Sequence, residues 1–339
     1  MGLRRLLRRD RTPHPKVRTR EALAHLLGEP VETIESLRAR PDQLYGCLRL
    51  PKKSGGSREI HPPRAALKRV QRRILAEIDR RFRPSPFAHG GVAGRSIVSH
   101  AAPHMGRRMV ATLDLRDFFP SVPLAAVREL LEVAGFEDGA LEDLIFLVTR
   151  EAKLPQGAPT SGCLANLAFD AADLDLDRLA RRRQLTYTRY VDDLAFSGDR
   201  DFRDLAGPFA DLIRAHGFLS APEKRHFMGR ERPQVVTGLL VNDRLRPTRE
   251  FRESLTIEVR RLATDARAFA AEEGRSRQEL RARILGRIHH LARFDRPLAD
   301  RLRRRLGKTG RGSPASLSAA GTDGKGTVFG GPEDESGPK

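Results

Sequence analysis

Tyr190-Val191-Asp192-Asp193 sets two adjacent carboxylates between two runs of strand character, 184–189 and 194–198. Like charges held side by side repel unless a cation neutralises them, so two acids on a tight turn point to a divalent ion such as Mg²⁺. Asp114 lies at the exit of another apolar run, Met109 to Leu115, which reads as a buried strand. A sheet that lays these strands side by side brings three carboxylates together. That donor set suits two Mg²⁺ ions in phosphoryl transfer, one lowering the pKa of an attacking hydroxyl and the other neutralising a triphosphate and its leaving pyrophosphate. Each acid taken alone also fits a strand end, and an Asp-Asp pair is also a turn former.

The elements that must position these acids are legible in the apolar spacing. Leu23, Leu26, Leu27, Ile34 and Leu37 give 21–40 helical spacing that Pro41 closes. Lys52-Lys53-Ser54-Gly55-Gly56-Ser57-Arg58 is a basic glycine loop between short extended runs, the pattern of a β-hairpin. Leu67, Val70, Ile74, Leu75 and Ile78 share one face of a helix over 65–82, with arginines on the other. Helices are also expected over 124–133, 141–150 and 164–180, and over 202–216, where Gly217 ends the segment. Val235 to Val241 reads as a strand, and 249–306 as helical and arginine-rich. Residues 1–20 read as a basic arm, and 308–339, rich in Gly, Ser and Pro, as a disordered tail.

The chain has 339 residues, enough for a large core and two or three subdomains. Its 63 Lys plus Arg against 44 Asp plus Glu give a net charge of +19, which favours a polyanionic partner, nucleic acid first. A merely solubilising arginine-rich surface is the alternative. No apolar run approaches the roughly 18 to 20 residues of a membrane span, and the N-terminus lacks a secretory apolar region, so a cytoplasmic protein without a membrane partner is expected. Cys47 and Cys163, far apart and outside any Cys-X-X-Cys pattern, indicate neither zinc nor a disulfide framework.

Three ordered segments, Leu113-Asp114-Leu115-Arg116-Asp117-Phe118-Phe119-Pro120-Ser121, Leu154-Pro155-Gln156-Gly157-Ala158-Pro159-Thr160-Ser161 and Tyr190-Val191-Asp192-Asp193, resemble the successive core motifs of reverse transcriptases. The resemblance runs from about Leu48 to Val241. It implies that Asp114 and Asp192 are the principal metal ligands, with Asp193 in support and the Leu115 carbonyl completing the shell. Phe119 takes the position that excludes a ribose 2′-hydroxyl; adjacent residues of an extended stretch face opposite sides, which sends Phe118 to the core. Lys52, Lys53 and Arg58 match the fingertip cations that grip an incoming triphosphate. Gln156 and Gly157 match the segment at the nascent base pair. Lys224 matches the lysine proposed to protonate pyrophosphate, although Ala221 and Arg225 flank it where Asn and Thr are usual.

Val236-Thr237-Gly238 and His100-Ala101-Ala102-Pro103-His104 are similar to segments that retron reverse transcriptases use to recognise their own structured RNA, with His100 standing where Asn is usual. The two histidines also have a metal-binding spacing, but no third ligand is evident and Pro103 breaks a continuous helix. The chain ends soon after its helical C-terminal region, leaving no room for the further modules of group II intron proteins.

The expected architecture is an α+β right-hand polymerase: N-terminal helices and fingers over 21–113, a palm of antiparallel sheet packed on helices over 114–246 with inserted fingers helices, and a helical thumb over 247–307. The expected reaction is RNA-directed DNA synthesis with two Mg²⁺ ions. Its partners are dNTPs, a structured noncoding RNA that is both template and primer, an RNA–DNA hybrid, and a retron effector protein. The product expected from the resemblance is RNA-linked single-stranded DNA, made in antiphage defence. Two rivals stay open: a stand-alone defence polymerase that works without a retron RNA, template-independent synthesis included, and an RNA-binding scaffold with a vestigial palm.

Overall fold

A computed structural model describes residues 15–51 and 56–307. Most of the expected arm (1–14), Lys52 and Lys53, and the expected tail at 308–339 lie outside the described residues. The chain divides into two compact units, Met1–Glu253 and Ser254–Lys339.

The first unit opens with α1 (Arg20–Leu27) and α2 (Val31–Ala39). Thr19 caps α1 by accepting from the Ala22 amide, and Gly28 ends it at φ 60, the left-handed conformation that glycine adopts without penalty. One helical segment expected over 21–40 is therefore two, split by Gly28 and Pro30. The last residues of the expected arm are also ordered: Val17 is buried, and its backbone bonds Gly135 and Glu137. A single valine among arginines and prolines carries too little periodic signal to show this in the sequence.

The expected hairpin is present as β1 (Leu48–Pro51) and β2 (Ser57–Ile60), antiparallel with Leu48 opposite Ile60. The long helix α3 (Ala65–Arg81) buries Leu67, Val70, Ile74 and Ile78 on the face its periodicity marks. There follow α4 (Ile97–Ala101), β3 (Met109–Asp114), α5 (Phe118–Ser121), α6 (Leu124–Val133), α7 (Asp138–Val148), α8 (Ser161–Ala168), α9 (Asp170–Arg182), β4 (Thr186–Tyr190), β5 (Asp193–Gly198), α10 (Ala206–Ala215) and β6 (His226–Gly229).

The central sheet has the order β4-β5-β3-β6, with every pairing antiparallel. Side chains alternate along each strand, so the sheet presents two different faces. Tyr187, Arg189 and Phe196 point one way, toward the helices that supply Asp173, Asn166 and Phe209. Thr188 and Ser197 point the other way, toward His100 and His104. Both faces are covered, and β5 is buried from Leu194 to Gly198.

The expected strand over 235–241 is instead a small hairpin, β7 (Val235–Val236) and β8 (Leu239–Leu240), and β9 (Arg246–Pro247) completes its sheet. The chain reverses at Thr237 (φ 44) and Gly238 (φ 80), two consecutive left-handed residues that a two-residue hairpin turn requires. Phe118 and Phe119 are likewise not extended: Asp117 at φ 47 starts the short helix α5. Phe118 is nonetheless buried and Phe119 half-buried.

From residue 254 to 307 every element described is helical: the remainder of α11 (Arg249–Thr264), then α12 (Ala266–Glu272), α13 (Arg277–Ala292) and α14 (Arg296–Gly307). Their shared core includes Val259, Phe269, Ile284, Ile288 and Leu302. Ser276 and Glu279 form a reciprocal capping box at the start of α13. Helices mixed with antiparallel sheets make the chain α+β, and no described helix is long and apolar enough to cross a membrane.

The N-terminal helices are fastened to the rest by Asp143 on α7, whose side chain is 2% exposed and receives Arg20 at 2.7 Å and Arg38 at 2.8 Å. Replacing Asp143 by Ala leaves two converging guanidiniums without their acceptor. The two arginines are partly exposed and can rehydrate, so the expected loss is about 2 kcal/mol, below the full cost of breaking a buried pair. A urea midpoint that falls at constant m value checks it.

Candidate active site

Asp114 ends β3 directly opposite Asp193, the first residue of β5. The Leu115 amide donates to the Asp192 carbonyl at 2.9 Å, which makes Leu115 and Asp192 a hydrogen-bonded pair and Asp114 and Asp193 the neighbouring non-bonded pair. Side chains of such a non-bonded pair lie closest, on one face of the sheet. The three acids thus meet at one end of the central sheet, as their spacing predicts.

The turn that carries Asp192 is strained. Tyr190 pairs with Asp193, leaving Val191 and Asp192 as a two-residue loop, and Val191 adopts φ 59. Its first position normally goes to glycine, and a β-branched residue there is an outlier. Gly90 lies against it: a Cβ on Gly90 would stand 2.5 Å from Val191 Cγ2 and 2.8 Å from the Val191 nitrogen.

Burial pushes the Asp193 carboxyl up to about 7, helped by the charges of Asp192 and Asp114. Asp192 is also raised, first by burial and then by Asp114, while Lys224 and Arg58 act in the opposite sense. Crowded, half-desolvated carboxylates that need positive charge are the donor chemistry of a hard divalent cation. Among the described residues no three His, Cys, Asp or Glu side chains form a ready-made cage. Here Lys224 supplies the charge, donating from Nζ to Asp114 Oδ1 at 2.7 Å. That bond, before any other cause, raises the lysine above its ordinary value. Residues 219–221 run beside the end of β3, with the Arg116 amide on the Leu219 carbonyl and the Ala221 amide on the Asp114 carbonyl, both at 2.8 Å, and this brings Lys224 to the acids.

Arg58, on the β1–β2 hairpin, is exposed and close enough to lower the proton affinity of Asp192. Gln156 and Gly157 belong to the same neighbourhood: the His61 amide donates to the Gln156 carbonyl at 2.8 Å. Gly157, at φ 110, approaches so closely that a Cβ would stand 2.8 Å from Ile60 Cγ2. Phe119 sits beside Phe118, ring centroids 5.7 Å apart, next to the acids along the chain.

His100 and His104 are 1% and 0% exposed. Both rings are turned inward, away from the surface. Thr188 Oγ1 lies 2.7 Å from His100 Nδ1 and 2.7 Å from His104 Nε2, and His104 Nδ1 lies 2.7 Å from Ser197 Oγ. The His100 ring also lies 5.9 Å from that of Tyr190. Of the other triplet, Val236 is buried, Thr237 half-buried and Gly238 exposed at the turn.

Spacing and resemblance missed Arg189, Asp173, Asn166 and Gly90. Arg189 is fully buried, and its guanidinium makes two bonds to Asp173, at 2.8 and 2.7 Å, one to Asn166 Oδ1 at 2.8 Å and one to the Val191 carbonyl at 2.9 Å. The available signal was an arginine at a strand position whose alternation, Tyr187 then Arg189, faces the core.

Burial holds His100 at about 2 and His104 at about 3, with His89, desolvated and beside Arg95, at about 4, all below the ordinary 6.5. Each is neutral in the fold but takes a proton in the unfolded chain below 6.5, so their contribution is present above that pH and lost as pH falls. Asp193, raised from 3.8 to about 7, acts oppositely, its contribution growing as pH falls from about 7 toward 4. In chelator, His104→Gln should flatten the loss of stability between pH 6.5 and 5 by about one proton, and Asp193→Asn should steepen it. Denaturant midpoints across that range read both.

Residues 50–252 match the family model of reverse transcriptase, RNA-dependent DNA polymerase. The chain is 38% identical over 320 residues to the retron Mx65 reverse transcriptase of Myxococcus xanthus, covering 86% of this chain and 72% of that protein. It is 36% identical to the retron Mx162 reverse transcriptase of the same organism, over 66% of this chain and 53% of that one. It is 32% identical to the retron Ec86 reverse transcriptase of Escherichia coli, over 62% of this chain and 68% of that one.

Proposed function

This chain belongs to the retron reverse transcriptases and is an RNA-directed DNA polymerase, and on that premise we propose that the carboxylates at the end of its central sheet are the centre of a two-metal nucleotidyl transfer. The observation that carries the reading is the register that sets Asp114 opposite Asp193 with Asp192 on the adjoining turn. Enzymes of the family use divalent metal ions, and Mg²⁺ suits an all-oxygen donor set that leaves room for substrate phosphates. Asp114 and Asp192 would hold both ions, with Asp193 and the Leu115 carbonyl in support. Held by these residues, the ions would supply a lowered pKa for the primer hydroxyl and positive charge against the triphosphate.

The remaining steps fall to the chain's own groups. Arg58, with Lys52 and Lys53 a few residues before it in the sequence, grips the triphosphate, arginine as a planar fork and lysine as a point charge. Lys224, released from Asp114 when other cations neutralise that acid, carries a proton to the departing pyrophosphate. Gln156 and Gly157 lie beside the end of β2 and would bear on the nascent base pair, while Phe119 blocks a ribose 2′-hydroxyl. In this reading β1, β2 and the N-terminal helices are fingers, the central sheet is the palm, and the helices after residue 253 are the thumb.

The partner is a structured noncoding RNA that serves as template and primer. The β7–β8 turn, with Val236, Thr237 and Gly238, is the surface proposed to read it, and His100 and His104 support that surface from inside. Synthesis starts from a 2′-hydroxyl of a guanosine in that RNA and yields RNA-linked single-stranded DNA. An antiphage role, with a separate effector protein, follows from retron membership.

Purification followed by sequencing of co-isolated nucleic acid should recover DNA joined to RNA through a 2′,5′ branch; unbranched DNA would favour the stand-alone polymerase. Asp192→Asn should reduce synthesis by about a thousandfold or more while RNA binding persists. Wild-type protein that binds RNA but never extends it would leave only the scaffold. Phe119→Val should raise ribonucleotide incorporation, read as the ratio of kcat/KM for rNTP over dNTP; an unchanged ratio removes Phe119 as the gate.

A further inference from the structure

Among the described residues the largest fully buried side chain is a cation, Arg189, and it lies under the turn that carries Asp192. Its guanidinium is shared between a carboxylate, Asp173 on α9, and two neutral oxygens, Asn166 Oδ1 on α8 and the carbonyl of Val191. Asn166 turns its amide the other way and donates to the Gly90 carbonyl at 2.9 Å. Gly90 in turn abuts Val191, so the three groups close a ring around the strained residue. The backbone brings them together: the Arg189 amide donates to the Phe87 carbonyl at 2.8 Å and the His89 amide to the Arg189 carbonyl at 2.7 Å, which lays 87–89 beside β4 and delivers Gly90 to the turn.

We propose that Arg189 and Asn166 are positioning residues of the polymerase: with Gly90 they hold Val191 in its left-handed conformation and so fix where the Asp192 and Asp193 carboxylates project. The inference rests on the assignment of this turn as the metal-binding one. A strained backbone persists only where its surroundings over-determine it, and here the surroundings are one carbonyl clamped by a guanidinium and one glycine wall. The same guanidinium lies 4.8 Å from the Phe169 ring and 5.6 Å from that of Phe118, the neighbour of Phe119. A change at Arg189 is thus felt by the acids and by the proposed sugar pocket together.

Removing Arg189 itself would strand Asp173, which is fully buried, and the chain could fail to fold. Asn166→Ala is the cleaner probe because it spares the ion pair while deleting the links to Arg189 and to Gly90. Val191→Gly is its partner, since glycine adopts the left-handed conformation unaided. In the full chain with its co-purified RNA, Asn166→Ala should lower kcat by about 10- to 100-fold. KM for dNTP should stay within about threefold. Mn²⁺ affinity of the RNA-free protein, read by electron paramagnetic resonance, should fall in the same sense.

In the Val191→Gly background the same alanine substitution should cost much less in both readouts, because no strain remains to be restrained. Equal losses in the two backgrounds, accompanied by equal losses of Tm, would overturn the inference and leave Asn166 a stability residue only. Unchanged kcat and Mn²⁺ affinity in Asn166→Ala would overturn it as well. Mn²⁺ affinity that survives Asp192→Asn would sink instead the metal reading on which the inference stands.

Discussion

The ion pair between Arg189 and Asp173 is the constraint on which the end of the sheet that carries the three acids depends. Both side chains are fully withdrawn from water, and burial by itself disfavours the charged guanidinium. Asp173 outweighs that cost and holds the guanidinium above its ordinary value. The Tyr187 hydroxyl gives Asp173 a further donor at 2.7 Å. A pair at this depth contributes little net stability compared with apolar residues of the same volume, since desolvation consumes most of the Coulomb gain. What it does supply is direction. An apolar side chain at 189 could fill the space but could not donate a hydrogen bond to the Val191 carbonyl, and the turn would lose that restraint.

The opposite face of the same strands is held by a different chemistry. Thr188 and Ser197 anchor two neutral imidazoles, and those imidazoles belong to the segment from α4 to His104 that packs beside the β7–β8 hairpin. Gln234, just before β7, is buried and donates to the carbonyls of Arg107, Arg108 and Met228, and the Gly106 amide donates to the Val241 carbonyl. The hairpin proposed to read RNA is therefore tied to the strand that delivers Asp114, and the histidines link the same region to the strands that flank Asp192 and Asp193. These are contiguous packed elements; a switch would need two arrangements of them, and the ties seen here favour one.

The acids and their convergence were legible because they rest on strong local signals: apolar runs bounded by turns, and a pattern of ordered motifs that fixes their sequence of use. Helices with one apolar face, such as 65–81 and 124–133, were legible for the same reason. Signals that depend on one residue were not. The break at Gly28, the burial of Val17 and the reversal at Thr237-Gly238 each hinge on a single φ or a single side chain inside a segment whose average composition says something else. Arg189 was invisible for a further reason. Its partners lie 16 and 23 residues away in sequence, and an arginine in a chain so rich in arginine reads as surface until a fold shows it inside. The histidines show the converse: the resemblance singled them out, but nothing in it showed their burial, and only packing shows that their nitrogens are used within the protein.

The distribution of charge at the site fits the turnover proposed for it. Carboxylates proposed to set metal geometry would have to return to the same positions at every cycle, and all three sit on or between hydrogen-bonded strands, two of them raised in proton affinity by their burial. Cations that accompany a triphosphate in and a pyrophosphate out must instead change partners. Arg58 stands exposed on a hairpin, and the Lys224 side chain is 56% exposed on a loop, paired meanwhile with Asp114. Long, flexible side chains on exposed tips can make that exchange at low cost, because water takes over whenever the protein partner leaves. A buried lysine in place of Lys224 would have to pay desolvation each time it let go. Acids fixed on paired strands and exposed cations beside them would thus meet one requirement of the proposed reaction, that the phosphate be held by groups that stay and groups that exchange.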